Sequence, residues 1–314
     1  MTPRLIGYDE MTGRLCWSDA VEALRAGHLR PRAEIADMFL GPADATLLSR
    51  GAFVDGLGYG VKSVTVLDRN AAAGLATVQG AMVVFEPRHG RLDAILDSRL
   101  VTEWKTAADS VLGARLLARQ DSAHLLVVGA GTVARSLVRA YAALFPGLER
   151  VSVWARRPDQ SAALARAFED GPLAVAAVPD LAAAAREADI VASATMTRDP
   201  ILHGRWIRPG THVDLIGAFK ADMREADDAL IAGGSLFVDS RETTIGHIGE
   251  LLIPIARGVI AADAVRGDLY DLVAARAGRR SDDEVTVYKN GGGAHLDLMI
   301  ARYIACRAES GRTA

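Results

Sequence analysis

The chain has 314 residues, of which 50% are hydrophobic and 24% charged, and its formal net charge is −3. This is the composition of a folded globular protein with room for two domains, and it excludes a mainly disordered chain. The near balance of charge and the lack of a long basic run give no electrostatic case for nucleic acid or for an anionic membrane.

No stretch approaches about 18 uninterrupted apolar residues, and the opening MTPRLIGYDEMTGRL lacks the apolar core of a signal peptide. Cys16 and Cys306 have no metal-ligand spacing. The expectation is a cytoplasmic protein with small-molecule partners and with no membrane span, disulfide framework or metal site.

Along the chain, residues 17–29 carry Ala20, Val21, Leu24 and Ala26 at helical spacing and end before Pro31, which predicts a short amphipathic helix. Extended segments follow at 33–40, 46–49, 58–67, 76–85 and 92–96. The last two flank the turn cluster Glu86-Pro87-Arg88-His89-Gly90-Arg91, so a mostly antiparallel sheet is predicted, with no cofactor signature and therefore the better candidate for a substrate domain.

In residues 61–66 a period of two puts Lys62 on the face of Val64 and Val66. Burial there lowers a lysine pKa unless an anion is near, and either condition suits a proton donor or a carboxylate ligand. The alternative is an edge-strand lysine that reaches out to water. Thr77 and Gln79 share a face with Ala81, Val83 and Phe85, as the rim of a pocket or as a solvent-facing strand end.

A helix is predicted over 102–119, with Val101, Lys105, Ala108, Leu112 and Leu116 on one stripe. Lys105 then falls in the first turn, where a cation opposes the helix dipole at a cost of up to about 1 kcal/mol unless an anion offsets it. Two readings stand: an anionic substrate beside Lys105, or a lysine that curls out to water.

Residues 125–128 form a continuous apolar run that turns on glycine directly into a helix marked by Ala134, Leu137, Val138, Tyr141 and Leu144. Strand, glycine turn and helix amino end are the parts of a dinucleotide site, so Gly129, Ala130, Gly131, Thr132 and Val133 are the predicted pyrophosphate contacts. A second strand over 151–154 completes the unit. Its end reads Trp154-Ala155-Arg156-Arg157, without the carboxylate that would accept from a ribose 2′-hydroxyl. Two guanidinium groups in that place favour NADP over NAD, the alternative being a solvated pair opening a loop before Pro158.

Further parallel strands are predicted over 173–178, 188–195, 211–217 and 235–239, giving a doubly wound sheet. Thr195 with Met196, and Gly217 with Ala218 and Phe219, lie at carboxyl ends of strands and are cofactor-side candidates. Residues 245–260 and 268–276 read as helices and 285–288 as a strand. Lys289-Asn290-Gly291-Gly292-Gly293 then opens a last helix over 294–308. The glycines imply close backbone approach or an anion-binding turn, with Gly292 as a cofactor contact, or else a flexible connection. His295 reads as a ligand contact or as a solvent-exposed first-turn histidine.

With these elements placed, the chain resembles the ornithine cyclodeaminase and mu-crystallin family over nearly its whole length. The resemblance rests on Gly60-Val61-Lys62, the strand near Thr77, Lys105-Thr106-Ala107-Ala108 followed by Ser110, the Gly129-Ala130-Gly131 turn and the segment from Lys289 to Asp297. It implies an α/β fold in which a doubly wound Rossmann domain (119–293, NAD(P)-binding) is inserted into a mostly antiparallel α+β domain for substrate binding and dimerisation (1–118 plus 294–314), with a homodimer formed through the non-Rossmann sheet.

The resemblance also implies that Lys62 is the active-site lysine and that Thr77 lines the same pocket. Lys105 stands where the family usually has a carboxylate-holding arginine, so the charge is kept and the bidentate fork is not. Arg32, in Pro31-Arg32-Ala33, matches an early-strand arginine that also binds carboxylate, and Arg50 is an additional candidate cation. Where cyclodeaminases carry an aspartate used in ornithine cyclisation, this chain has Phe219. A phenyl ring neither moves a proton nor holds an amine. The departure favours the family's reductases, which act on small anionic imino, ketimino or 2-oxo acids (the last with an amine), a dicarboxylate imine among them. The other two readings are an NAD-recycling cyclodeaminase and a mu-crystallin-like NADP-dependent ligand-binding protein.

Overall fold

The computed structural model describes residues 3–42 and 44–310. The chain divides into two compact units: residues up to Ala108 together with those from Gly293 onward, and Asp109–Gly292. The division falls inside a helix rather than at residue 118.

The first unit opens with β1 (Arg4–Ile6) and α1 (Trp17–His28), followed by β2 (Glu34–Leu40), β3 (Ala45–Val54), β4 (Gly58–Leu67), β5 (Val78–Phe85), β6 (Leu92–Asp97) and α2 (Ser98–Leu117). The strands form a six-stranded sheet in the order β1-β6-β5-β4-β3-β2. Every pairing is antiparallel except that of β1 with β6. Three-residue β1 is too short to show a period and was not expected. In α1 the buried stripe is Ala20, Val21, Leu24, Gly27 and His28, while Ala26 is exposed because it sits two residues from Leu24, off the face.

Helix α2 starts four residues earlier than the apolar spacing suggests. Asp97 ends β6 and its Oδ1 accepts the Arg99 N–H at 2.8 Å, so the helix begins at once.

The second unit contains β7 (His124–Val128), α3 (Thr132–Leu144), β8 (Arg150–Trp154), α4 (Pro158–Arg166), β9 (Ala174–Ala177), α5 (Leu181–Glu187), β10 (Ile190–Ser193), β11 (His212–Leu215), α6 (Asp228–Gly233), β12 (Ser235–Val238), α7 (Arg241–Thr244), α8 (Gly249–Ala256), β13 (Val265–Gly267), α9 (Leu269–Val273) and β14 (Thr286–Lys289). All its strands are parallel, in the order β13-β12-β14-β11-β10-β7-β8-β9. Neighbouring β7 and β10 lead to opposite halves of the sheet, which makes the gap beyond their carboxyl ends the topological switch point. Covered on both faces, β7, β10, β11 and β12 are buried along their whole length, and Leu126, Val128, Val191, Val213, Leu215, Leu236 and Val238 pack in one core.

Of the single helix expected over 245–260 only α8 (Gly249–Ala256) forms, and a separate short α7 ends at Thr244 before it. At Gly249 a Cβ would stand 2.5 Å from the carbonyl oxygens of Ala221 and Met223, a close approach that separates the two helices. The chain returns to the first unit in α10 (Ala294–Ser310), which lies against α1 and β2 to β5. A Cβ on Gly60 would meet Leu298 at 2.9 Å, so α10 sits directly on the face that also carries Lys62. Among the described residues no helix is long and apolar enough to cross a membrane.

Candidate active site

Strand register builds the charged group of the first unit. Asp37 of β2 lies opposite Arg50 of β3, Arg50 opposite Lys62 of β4, and Lys62 opposite Met82 of β5, so the three charged residues form a row across one face of the sheet. Two cations directly opposite each other repel, and such a row needs anions to hold it. Asp37 supplies one, taking hydrogen bonds from Arg50 Nη2 at 2.8 Å and Nε at 3.2 Å. Helix α10 supplies the other. Asp297 Oδ1 is 2.7 Å from Lys62 Nζ, which also donates to Thr102 Oγ1 at 3.4 Å.

Lys62 is 7% exposed and Asp297 fully buried. Burial holds the lysine pKa below its ordinary value; Asp297 opposes that shift, and the charges of Lys105 and Arg50 add to it. Burial alone would raise Asp297, but Lys62, Lys105 and Arg50 together hold it below the usual carboxylate range. The carboxylate is therefore ionised amid a surplus of cations.

Lys105 is inward-facing and 7% exposed, as the apolar stripe requires. Its dipole argument does not survive: with α2 starting at Ser98, Lys105 lies beyond the first turn, where the dipole effect has faded. What makes Lys105 a ligand candidate is burial next to Lys62 and Asp297. His295 is buried rather than a solvent-exposed first-turn residue, and its ring stands edge-on to His28 with centroids 5.5 Å apart. Burial, then the charges of His28, Lys105, Arg50 and Arg32, holds it well below the ordinary histidine pKa, so it is neutral. Arg32 itself is exposed before β2. Thr77 is not brought to this group. It precedes β5, its carbonyl accepts the Leu67 N–H, and alternation from the Lys62↔Met82 pair sets it on the opposite face.

A separate candidate group lies at the carboxyl ends of the parallel strands of the second unit. Gly129 follows β7 with φ 118°, a conformation that favours glycine, and a Cβ there would stand 2.8 Å from the Ala194 oxygen. Gly131 caps α3 with no side chain bonded to the first-turn amides, and a Cβ at Gly131 would meet nothing within 4 Å. Ala130, Thr132 and Val133 complete this open turn, and Ala134 is buried against the sheet. Uncapped amides at a helix amino end fit a pyrophosphate. Arg156 and Arg157 stand exposed after β8, Arg157 as the N-cap of α4.

Glu225 is the group that sequence reasoning missed here. Its Oε1 accepts Ser193 Oγ at 2.5 Å and both the N–H and Oγ1 of Thr195 at 2.7 Å, while Oε2 accepts the Gly217 N–H at 2.6 Å. Glu250 in turn accepts the amides of Glu225 and Ala226 at 2.8 and 2.9 Å. One buried carboxylate thus ties together the ends of β10 and β11, from which Thr195 and Gly217 project. Phe219 lies beyond, 49% exposed, with Lys220 Nζ 5.8 Å from its ring centre.

Gly292 departs from expectation. Its N–H and that of Gly291 are both donated to Asp239 Oδ2, so these two amides are engaged within the protein and are not offered to an anion. Close approach is its cause, since a Cβ on Gly291 would lie 2.4 Å from Thr244 Oγ1. Among the described residues no cluster of His, Cys, Asp or Glu is arranged to hold a metal ion.

Comparison with known proteins bears on this arrangement. Residues 52–312 match the model of the ornithine cyclodeaminase/mu-crystallin family. The chain is 67% identical over 304 residues to the Delta(1)-pyrroline-2-carboxylate reductase of Paracoccus denitrificans, covering 96% of each protein. Its fold superposes on the Delta(1)-pyrroline-2-carboxylate reductase of Thermococcus litoralis, solved in complex with NADH and L-proline, with a TM-score of 0.92 at 24% identity and 98% coverage of both chains. An archaeal alanine dehydrogenase dimer with bound NAD gives a TM-score of 0.92 at 25% identity, covering 99% of this chain and 98% of the other. By the extent of the family match and the identity to its relatives, the chain belongs to the ornithine cyclodeaminase/mu-crystallin family.

Proposed function

We propose that the protein is an NAD(P)H-dependent imino acid reductase whose substrate is Δ1-pyrroline-2-carboxylate, a five-membered cyclic imine bearing one carboxylate, and whose product is proline. The observation that carries this reading is the buried Lys62–Asp297 pair with Lys105 and Arg50 around it, in a chain 67% identical to a reductase of that name. Lys105 and Arg50 attract and orient the carboxylate. Lys62, kept charged by Asp297, donates its proton to the ring nitrogen, which makes the adjacent carbon electrophilic. A bound dihydronicotinamide supplies the hydride that this carbon accepts. Gly129 to Val133 at the amino end of α3 are the residues that would hold its pyrophosphate, with Thr195, Gly217 and Phe219 on the same side of the sheet. A cyclodeaminase is disfavoured by Phe219. A cytoplasmic location fits an enzyme that draws on the dinucleotide pool.

The test is a substrate panel: Δ1-pyrroline-2-carboxylate beside 2-oxo acids, including a dicarboxylate, with ammonia or methylamine, scored by NADPH and NADH oxidation. The cyclic imine should be reduced fastest. Oxidation of neither nucleotide with any imine would overturn the reading and return the protein to the class of ligand-binding relatives.

NADP is the favoured cofactor, because Arg156 and Arg157 occupy the end of β8 where NAD enzymes place an acid. Replacing both by alanine should weaken NADPH on the order of tenfold or more relative to NADH; an unchanged ratio means that these arginines do not read a 2′-phosphate. The protein is further expected to be a homodimer. Edge strand β2 leaves Met38, Phe39 and Leu40 exposed at 47%, 64% and 53%, a surface that an isolated edge would carry as a liability. Sedimentation should give about twice the chain mass, and a monomer at micromolar concentration would sink this claim.

A further inference from the structure

Asp297 has a second oxygen that the ion pair does not use. Oδ1 accepts from Lys62, whereas Oδ2, shielded from solvent, has no hydrogen-bond partner among the described residues. A buried acceptor left in that state is uncommon and calls for a specific cause. The carboxylate is ionised, held so by Lys62, Lys105 and Arg50, and an ionised carboxylate can only accept. The same three cations are the groups that draw in a substrate carboxylate, so Oδ2 lies within the charged group where the substrate is held.

We propose that Asp297 is a catalytic residue whose Oδ2 accepts the N–H of the substrate's ring nitrogen, so that one carboxylate grips Lys62 with one oxygen and the nitrogen of a cyclic imino acid with the other. The inference rests on the reading that the substrate is such an acid. In the reaction the proton passes from Lys62 Nζ to the imine nitrogen, and the single N–H of the resulting iminium is shared between the now neutral Lys62 and Asp297 Oδ2. A bound dihydronicotinamide would supply the hydride for the iminium carbon, and the C=N π pair would become the nitrogen lone pair of the secondary amine. Lys62 is left neutral and regains a proton from water. Asp297 stays ionised throughout, and its charge offsets the cation that exists on nitrogen before hydride arrives. This gives the site a preference for nitrogen in the ring that the cations alone, which read only the carboxylate, do not provide.

The experiment compares two ligands of the same ring size that share the carboxylate and differ at the ring heteroatom, L-proline and tetrahydrofuran-2-carboxylate, by calorimetry with NADP⁺ present. The oxygen ring offers no N–H and turns a lone pair toward the carboxylate. Wild type should bind L-proline more tightly by on the order of tenfold to a hundredfold, the worth of a charged hydrogen bond. Asp297→Asn should bring the ratio close to one. A ratio unchanged in Asp297→Asn overturns the proposal, and so does a wild type that binds the two ligands equally, a result that needs no variant to fold. In either case reduction of pyrroline carboxylate by wild type would stand. A wild type that neither reduces a cyclic imine nor binds L-proline removes the functional reading and this inference with it.

Discussion

Lys62→Met is expected to lower kcat by about 10² to 10⁴, the contribution of a positioned general acid, while leaving nucleotide affinity unchanged. If Lys62 served only to anchor the carboxylate, the loss would appear in KM instead. A lone lysine on an apolar strand could be exchanged for methionine at little cost in stability, but this one is paired. Its removal strands the buried carboxylate of Asp297, and breaking a buried pair by deleting one partner costs about 3–5 kcal/mol. Lys105 and Arg50 still offset part of that charge, which places the expected cost at the lower end, and the melting temperature should fall. Adding Asp297→Asn to Lys62→Met should recover most of the stability and none of the rate.

The pH dependence has a fixed sign. In the proposed mechanism Lys62 works in its protonated form, and its pKa is held below 10.5, so kcat should decline as pH rises through that lowered value. In Asp297→Asn the decline should move to lower pH, because the carboxylate that raises the lysine pKa is gone. Near-normal kcat and KM in a folded Lys62→Met protein would place the chemistry elsewhere.

What could be read from the sequence was whatever lay within one element. Alternation along β4 sufficed to turn Lys62 inward, and the apolar run, glycine turn and helix after His124 sufficed to place the strand, turn and open helix amino end of the second unit. The partners of those residues were out of reach for a physical reason. Asp297 is 235 residues from Lys62 and meets it only because α10 returns to the sheet, so no local period announces the pair. Asp37 was closer to legible: once β2 and β3 pair, it must face Arg50. Lys105 was rightly turned inward but for a reason that failed, since the cap made by Asp97 moved the helix start and with it the dipole. The triple glycine misled in the other direction. Its composition is that of an anion-binding turn, and only the position of Asp239 shows that its amides are already engaged.

Glu225→Ala is expected to destabilise the second unit, although Glu225 has no place in the proposed chemistry. The carboxylate is the acceptor for the amides of Thr195 and Gly217; alanine would leave the Thr195 N–H without its partner and the Gly217 N–H with only the Ser193 carbonyl at 3.3 Å. The orphaned group costs about 1–3 kcal/mol, a substantial share of the roughly 5–15 kcal/mol that holds a domain together. Glutamine is a sharper probe, because it keeps the volume and exchanges one oxygen for a donor. The hydroxyls of Ser193 and Thr195 can rotate to accept from the new amide, but a backbone N–H cannot. Whichever way the side chain is turned, either Thr195 or Gly217 then points a donor at a donor. Glu225→Gln should therefore cost about 1–3 kcal/mol and weaken NADH and NADPH alike, since the ends of β10 and β11 carry residues on the cofactor side of the sheet. A Glu225→Gln protein with wild-type melting temperature and wild-type nucleotide affinity would show that the ends of these strands are fixed by the sheet itself, and that the carboxylate between them is incidental.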